Sequence, residues 1–229
     1  MKLITVAGPP SSGKTSVILK TIAALGLPKR SVGVVKFDSL TSFDNVRYSE
    51  NDVPVQTGFA GKICPDHFFV TNIEGAMKWG RKKNLSMLIT ESAGLCNRCS
   101  PYIRGILSVC VIDNLSGVNT PRKIGPMLKY ADIVVVTKGD IVSQAEREVF
   151  AFNIKEVNSN AKVIFVNGIT GQGTFALAKY FSEVPEVDTL KDRTLRFTMP
   201  AAICSYCTGE TRIGDYYQLG MLKKMEYGD

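Results

Sequence analysis

The residues best suited to chemistry form one short loop near the start of the 229-residue sequence. The stretch GPPSSGKT at residues 8–15 has the spacing G-x-x-x-x-G-K-T, follows an apolar run and precedes a helix-compatible run at residues 16–25. In this setting glycines let backbone N–H groups point at phosphate oxygens, lysine adds a cation, and a threonine hydroxyl can bind Mg²⁺. The loop predicts a nucleoside triphosphate site formed by Gly8, Pro9, Ser11, Ser12, Gly13, Lys14, Thr15 and Ser16.

Three groups of cysteine or histidine residues suggest metal chemistry. Cys64 precedes His67, the single histidine of the chain, by three residues, and thiolate with imidazole suits Zn²⁺ or Ni²⁺. Two C-x-x-C pairs are the usual halves of a zinc site or an iron–sulfur cluster. Their separation of more than a hundred residues means that they meet only through the fold or across a dimer. The pairs are Cys96 with Cys99 and Cys204 with Cys207.

Further polar residues follow apolar runs that read as strands. Asp38 can reach Mg²⁺ or an attacking water, and Glu91 followed three residues later by Gly94 suits a sensor of the γ-phosphate. Lys138 and Asp140 form part of the pattern N-K-x-D, in which the aspartate accepts from the guanine edge and the lysine stem covers the ring. The last motif, Asn167 with Gly168, suits a loop lining the base pocket.

The elements that must position these residues alternate along the chain. Short apolar runs predict buried strands at residues 3–7, 32–37, 87–90, 108–112, 133–137 and 163–166. Helix-compatible stretches lie at residues 16–25, 71–83, 121–130, 144–157 and 174–181. This alternation predicts an α/β fold, a mostly parallel sheet flanked by helices, with ligands beyond the carboxyl ends of the strands.

Composition narrows the setting of the protein. The sequence contains no run of about 18 apolar residues, so it predicts no membrane span. The phosphate loop begins at residue 8 and leaves no room for a signal peptide before it. We therefore expect a cytoplasmic protein whose cysteines are reduced. The net charge is +7, but the basic residues are not interleaved with aromatic residues in the way that would indicate a nucleic-acid-binding protein. We expect three parts: a nucleotide-binding domain at residues 1–181, a linker at 182–195 and a short cysteine-containing C-terminal extension at 196–229.

Residues 1–181 resemble the nickel-chaperone GTPases of the SIMIBI class of P-loop proteins, the UreG and HypB accessory proteins of urease and hydrogenase. The similarity is carried by GPPSSGKTS, KFDSLTS, CPDHFF, ESAG, VNGITGQG and above all by VIDNLSGVNTPRKIGPMLKYADIVVVTKGD. The extension containing C-S-Y-C-T-G-E is not part of the urease or hydrogenase pattern.

The resemblance implies a slow Mg²⁺-dependent GTPase that forms a nucleotide-dependent homodimer and delivers a metal to an apo-metalloenzyme, with or without another accessory protein. It implies phosphate contacts from Lys14, catalytic roles for Asp38, Lys14 and Glu91, and Mg²⁺ ligation by Thr15 and Asp38. It also implies metal ligation by Cys64 and His67, with Cys96 or Cys99 close by. Thr137 stands where the family pattern has asparagine, so the choice between GTP and ATP stays open.

Two other functions remain compatible with the sequence. The nitrogenase iron protein, also of the SIMIBI class, carries an iron–sulfur cluster just after the corresponding switch loop, where Cys96 and Cys99 lie, so a nucleotide-driven electron donor is one alternative. A regulatory scaffold stabilised by zinc at the C-terminal cysteines is the other. The metal therefore stays open between nickel, zinc and an iron–sulfur cluster.

Overall fold

A parallel sheet of seven strands forms the centre of the molecule. The computed structural model describes residues 1–40, 44–94, 99–198 and 205–228. The strand order is β3-β2-β4-β1-β5-β6-β7, and each neighbouring pair is parallel. The strands are β1 (Lys2–Gly8), β2 (Val32–Asp38), β3 (Val55–Phe59), β4 (Met87–Ala93), β5 (Leu107–Asp113), β6 (Ile133–Thr137) and β7 (Lys162–Phe165).

Helices cover both faces of this sheet. One face packs against α1, α2 and α7, and the other packs against α3, α5 and α6. The helices of the described ranges are α1 (Lys14–Ala24), α2 (Asp44–Glu50), α3 (Pro65–Lys82), α4 (Thr120–Lys123), α5 (Pro126–Lys129), α6 (Gln144–Val157) and α7 (Thr174–Glu183). None of them is long and apolar enough to cross a membrane.

The predicted fold class is confirmed by this architecture. The central strands are buried on both faces, which is why their sequences read as continuous apolar runs rather than as alternating patterns. The six predicted strands are all present, and β4 continues three residues beyond its predicted end, to Ala93. As a result Glu91 and Ser92 lie inside a buried strand rather than in the loop after it.

Two predicted helices have different limits in the structure. The stretch 121–130 forms two short helices, because Gly125 between them has φ +63° and ψ −136°, a conformation outside the helical region. Helix α3 begins at Pro65, six residues before the predicted start at residue 71, with Cys64 as its N-cap. Proline fits the first helical position because its missing N–H has no partner there in any case.

The C-terminal residues 205–228, called here the C-terminal segment, lie against the α3 side of the sheet. Tyr206 and Ile213 are almost fully buried in the same apolar cluster as Phe37 and Phe68. Near the beginning of this segment, Leu195 N donates a backbone hydrogen bond to Thr211 O at 2.7 Å. The boundaries of the expected linker and extension stay a prediction.

Candidate nucleotide and metal sites

The phosphate loop joins β1 to α1 in a tight turn. At Gly8 a Cβ atom would lie 2.1 Å from the carbonyl oxygen of Val111, so the close approach of the two strands requires glycine. Gly13 has φ +88° and is the N-cap of α1. Because the helix begins directly after the loop, its first unpaired N–H groups face the loop, which suits a bound anion.

Lys14 lies against the carbonyls of its own loop. Its Nζ donates to Gly8 O at 2.9 Å and to Pro9 O at 2.8 Å, and the residue is 7 % exposed. Burial lowers the pKa of Lys14, and the nearby Glu91 carboxylate opposes that shift. The ammonium is thus held at the loop, in reach of any phosphate that enters.

A cavity of about 500 Å³ opens in front of the loop. Its polar lining combines cations with carboxylates, the mixture required by a phosphate chain with a divalent cation. Arg47 of α2 contributes Nη2, which donates to Ser16 Oγ at 2.9 Å. The side chains that line the cavity include Ser11, Lys14, Thr15, Lys36, Asp38, Asp44, Arg47 and Glu91.

Glu91 is the centre of a buried hydrogen-bond network behind this cavity. Its Oε1 accepts from Thr15 Oγ1 at 2.9 Å and from Lys36 Nζ at 3.2 Å, and its Oε2 accepts from Tyr48 OH at 2.6 Å. The sheet register explains the arrangement, because Lys36 pairs with Glu91 on adjacent strands and their side chains share one face. Both carboxylate oxygens of Glu91, the predicted γ-phosphate sensor, therefore accept hydrogen bonds from other side chains of the protein.

The ammonium of Lys36 lies among three carboxylates. Besides Glu91, it forms an ion pair with Asp44 and lies 3.5 Å from Asp38 Oδ2. Burial alone would lower the pKa of Lys36, but Glu91, Asp44 and Asp38 together outweigh it and raise the pKa. The same contact lowers the pKa of Asp44 against the opposing effect of its own burial. Lys36 is thus a positive charge held beside the predicted Mg²⁺ ligands.

Thr15 and Asp38, the predicted Mg²⁺ ligands, line the same cavity. Asp38 ends β2, and its Oδ1 accepts from Ser39 N at 2.8 Å. Hydroxyl and carboxylate oxygens are the donors that Mg²⁺ prefers. The donor set formed by Thr15, Asp38 and Asp44 therefore fits a magnesium ion.

A second cavity of about 390 Å³ lies beyond the ends of β6 and β7. Asp140 and Asn167 line it, with Arg147 and Phe165 beside them. Asn167 Oδ1 accepts from Ile169 N at 2.8 Å and so fixes the loop that contains Gly168. The predicted base-pocket residues are therefore brought to one cavity, separate from the phosphate loop's own cavity.

Thr137 and Lys138 tie this base-side cavity to the phosphate loop. Thr137 Oγ1 donates to Ser12 O at 2.7 Å, and Lys138 Nζ donates to Ser11 O at 2.9 Å. Lys138 has φ +57° and its Nζ lies 3.7 Å from Asp113 Oδ1. A hydroxyl at position 137 therefore supplies a hydrogen bond between this motif and the phosphate loop.

Three potential metal ligands meet at the N-terminus of α3. Cys64 Sγ, a carboxylate oxygen of Asp66 and Cys99 Sγ all lie within 4.8 Å of one another. Asp66 is 1 % exposed, and its Oδ2 has no hydrogen-bond partner within the parts of the chain that the structure describes. Burial, and then the Cys64 thiol, raise the pKa of Asp66 well above its usual range. We call these residues the three-ligand centre.

His67 does not belong to this group of three. Its Nε2 lies 3.2 Å from Cys207 Sγ, which brings the C-terminal segment to the first turn of α3. Cys96 and Cys204 lie outside the described residues, so the predicted C-x-x-C pairs are each represented by one member. Cys110 lies fully buried in β5, and burial raises the pKa of its thiol to about 12.

Adjacent residues of β4 face the two candidate sites. Glu91 bonds to Thr15 on the α1 face, whereas Ser92 Oγ donates to Asp66 Oδ1 at 3.3 Å on the α3 face. Successive side chains of a strand point to opposite faces of the sheet, so a shift of this strand end moves Glu91 on one face and Ser92 on the other at the same time. Gly94 follows, and its N–H donates to Gly8 O at 3.0 Å. One strand end thus connects the phosphate loop with the three-ligand centre.

Sequence reasoning missed several residues of these sites. Lys36 carried a usable signal, because it is a charged residue within the otherwise apolar run VGVVKFD. Asp66, which lies between Cys64 and His67, is not among the ligands that the sequence predicts. Tyr48 and Asp44 lie on α2, a helix that the apolar pattern did not reveal.

Comparisons with known proteins agree with this architecture. The model of the CobW/HypB/UreG nucleotide-binding domain matches residues 2–165. The chain belongs to this family. The predicted resemblance to UreG and HypB is therefore confirmed.

Individual relatives add detail. An uncharacterised protein of Methanocaldococcus jannaschii is 46 % identical over 99 % of this chain and 97 % of its own length. The urease accessory protein UreG of Aliarcobacter butzleri is 27 % identical over 72 % of this chain and 89 % of its own length. The crystal structure of HypB from Helicobacter pylori in complex with nickel superposes with a TM-score of 0.64 at 18 % identity, covering 82 % of this chain and 91 % of that one. This last likeness supports the fold.

Proposed function

We propose that this protein is a Mg²⁺-dependent GTPase that uses its nucleotide state to control a transition-metal ion carried at the three-ligand centre. The observation that carries the proposal is the pair of adjacent β4 residues, Glu91 and Ser92, which contact the phosphate-loop threonine and the centre's aspartate respectively. The relatives named UreG and HypB support delivery of the ion to an apo-metalloenzyme.

The nucleotide part of the proposal rests on the two cavities. The phosphate loop and Lys14 would bind the β- and γ-phosphates, and Thr15 with Asp38 would hold Mg²⁺, which neutralises phosphate charge when bound. Hydrolysis transfers the γ-phosphoryl group from the β–γ bridging oxygen to water, giving GDP and inorganic phosphate. Asp38 would also orient that water.

The choice of GTP rests on the second cavity. Asp140 is exposed at its wall, where a carboxylate accepts from the N–H groups on the guanine edge, which adenine lacks. Lys138 is fixed to the phosphate loop, so its stem is available to cover the base. Both features support GTP over ATP, the choice that the sequence leaves open at Thr137.

The cargo follows from the chemistry of the three-ligand centre. Two thiols and a carboxyl group suit a borderline divalent ion such as Zn²⁺, Ni²⁺ or Co²⁺ better than Mg²⁺ or Ca²⁺. The buried Asp66 Oδ2 is an acceptor whose burial would be offset by a bound cation. The nucleotide-dependent homodimer and the recipient enzyme stay predictions.

The experiment that tests the nucleotide part compares GTP and ATP binding in the wild type and two variants. Lys14→Ala should abolish measurable binding of both nucleotides, whereas Asp140→Asn should weaken GTP at least about tenfold more than ATP, since one guanine-specific polar contact is lost. Equal losses for GTP and ATP in Asp140→Asn would contradict the guanine assignment. Undiminished binding in a folded Lys14→Ala variant would contradict the phosphate site itself.

A further inference from the structure

The C-terminal segment runs back along α3 and is held there by specific bonds. Asn72 of α3 fixes it twice, because Nδ2 donates to Lys223 O at 2.9 Å and Oδ1 accepts from Met225 N at 2.6 Å. Tyr227 OH donates to the Asn72 carbonyl at 2.7 Å. These contacts fix the end of the segment along the same helix whose first turn bears His67.

Two glycines make room for the segment. A Cβ atom at Gly75 of α3 would lie 2.6 Å from the Tyr227 ring, and one at Gly58 of β3 would lie 2.5 Å from Met225 Sδ. A side chain at either position would collide with Tyr227 or Met225 of the segment. The surface of the nucleotide-binding domain is therefore shaped to receive this part of its own chain.

The beginning of the segment is fixed as firmly and places Cys207. Ser205 N donates to Leu219 O at 2.8 Å, and Leu219 N donates to Ser205 Oγ at 3.0 Å, so the turn containing Cys207 is closed at its base. Tyr206 is fully buried in the apolar cluster that includes Cys99. Cys207 Sγ thereby lies 3.2 Å from His67 Nε2.

His67, which Cys207 contacts, lies on the same helix turn as two members of the three-ligand centre, Cys64 and Asp66. Residues 64, 66 and 67 all belong to the N-cap and first turn of α3. A thiolate with an imidazole is a usual donor pair for Zn²⁺, Ni²⁺ and Co²⁺. The buried Asp66 Oδ2, without a hydrogen-bond partner in the described ranges, points independently to a cation at this turn.

We propose that the C-terminal segment is a metal-binding strap whose Cys207, together with His67 of the same chain, ligates the transition-metal cargo beside the three-ligand centre. The inference rests on the proposed function, because the ion is the same cargo. It adds that one chain supplies the thiolate and the imidazole, so loading the ion does not require ligands from a second subunit. Release of the ion then requires the segment to lift from α3.

The test is a Co²⁺ titration of the full-length reduced protein, followed by the thiolate-to-cobalt charge-transfer absorption. Cys207→Ser should weaken Co²⁺ binding about 10- to 100-fold and lower the absorption per bound ion by one thiolate's share. Cys110→Ala, which removes a thiol buried in β5, is the matched control and should leave both quantities unchanged. Cys207→His should retain Co²⁺ affinity with the lowered absorption, an outcome that a merely structural cysteine would not give.

A mixing experiment tests whether the ligands belong to one chain. Equal amounts of His67→Ala and Cys207→Ser protein should bind Co²⁺ as weakly as either variant alone. If the pair formed between subunits, each mixed dimer would contain one intact site. The appearance of sites with wild-type affinity on mixing would therefore overturn the proposal.

The outcomes separate this inference from the proposed function. If Cys64→Ser and Cys99→Ser lose Co²⁺ while Cys207→Ser keeps wild-type affinity and absorption, the strap is wrong and the metallochaperone proposal stands. If the wild-type protein itself binds no Co²⁺, Ni²⁺ or Zn²⁺, the proposed function fails as well.

Discussion

At the scale of single residues, charge balance around Glu91 shapes the nucleotide site. Lys36 places its ammonium among Glu91, Asp44 and Asp38 and is 4 % exposed. A buried group of carboxylates is costly without a compensating cation. Lys36 therefore keeps the predicted Mg²⁺ ligands together before any divalent ion arrives.

Replacing Lys36 by methionine tests this balance. We expect Lys36→Met to lower the free energy of unfolding by about 3–5 kcal/mol, because it leaves buried carboxylates without their partner. Added Mg²⁺ should restore part of that loss in the variant and have a smaller effect in the wild type. Urea denaturation measures both quantities, with exposed Lys83→Met as the control; a loss below about 1 kcal/mol would contradict the account.

The Thr137 hydroxyl yields a second prediction at this scale. Thr137→Val removes the hydrogen bond to Ser12 O while keeping the shape of the side chain, so GTP affinity should fall about five- to tenfold, the equivalent of roughly 1 kcal/mol. Thr137→Asn offers an amide donor instead and should bind GTP about as well as the wild type. Isothermal titration calorimetry decides the matter, and equal affinity for valine and threonine would show that the bond is dispensable.

At the scale of elements, the end of β4 connects two kinds of chemistry. Ser92→Ala removes the contact with Asp66 while leaving Glu91 in place. We expect nucleotide affinity to stay unchanged. The difference in Co²⁺ affinity between GTP-bound and GDP-bound protein should shrink, because β4 then still contacts the nucleotide site through Glu91 but no longer contacts Asp66. Thr90→Val is the control, because it changes a hydroxyl on the same face of the same strand. An unaltered difference in Ser92→Ala would place the coupling elsewhere.

The close fit of the C-terminal segment on α3 predicts that one substitution, Gly75→Ala, destabilises the wild type and stabilises a variant that lacks the Tyr227 ring. Gly75→Ala should destabilise the protein by about 1–3 kcal/mol, because its Cβ would meet the Tyr227 ring. In a Tyr227→Ala background the same change should stabilise by up to about 1 kcal/mol, since alanine is the better helix former. A double-mutant cycle in urea measures the interaction. Destabilisation in both backgrounds would mean that Tyr227 is not the cause.

Elements differed in how far the sequence could predict them. The central strands were recognisable because burial on both faces leaves continuous apolar runs, as at Ile133–Thr137. Strand β3 was missed because Gln56, Thr57 and Gly58 interrupt its apolar residues, whereas β7 at the opposite edge of the sheet keeps the apolar run Val163–Phe165. Helix α2 was missed because Tyr48 is its single buried residue. The local pattern therefore sufficed where an apolar run was continuous and failed where polar residues or glycine interrupted it.

At the scale of the whole molecule, the fold brings distant cysteines together in a way that spacing does not reveal. Cys64 and Cys99 meet because α3 begins beside the end of β4, and Cys207 reaches His67 because the segment returns along α3. The sequence indicated thiolate chemistry but grouped Cys64 with His67 as one ligand pair. The structure instead places Asp66 with the two thiols and pairs His67 with Cys207.

The nucleotide site and the three-ligand centre have different roles in the proposed cycle. The phosphate loop and base-side cavity lie at the carboxyl ends of the strands, where α/β folds bind their ligands. The three-ligand centre lies behind the same strand end, on the α3 face. A movement of β4 on nucleotide exchange would therefore change contacts at the nucleotide site and at the three-ligand centre.

The most direct measurement of the central claim is the Co²⁺ affinity of the wild-type protein with Mg²⁺ and either a non-hydrolysable GTP analogue or GDP. Coupling between the sites predicts that the two dissociation constants differ by about 5- to 150-fold, with Lys14→Ala abolishing the difference. Identical Co²⁺ affinities in the two nucleotide states, with both nucleotides bound, would contradict the account.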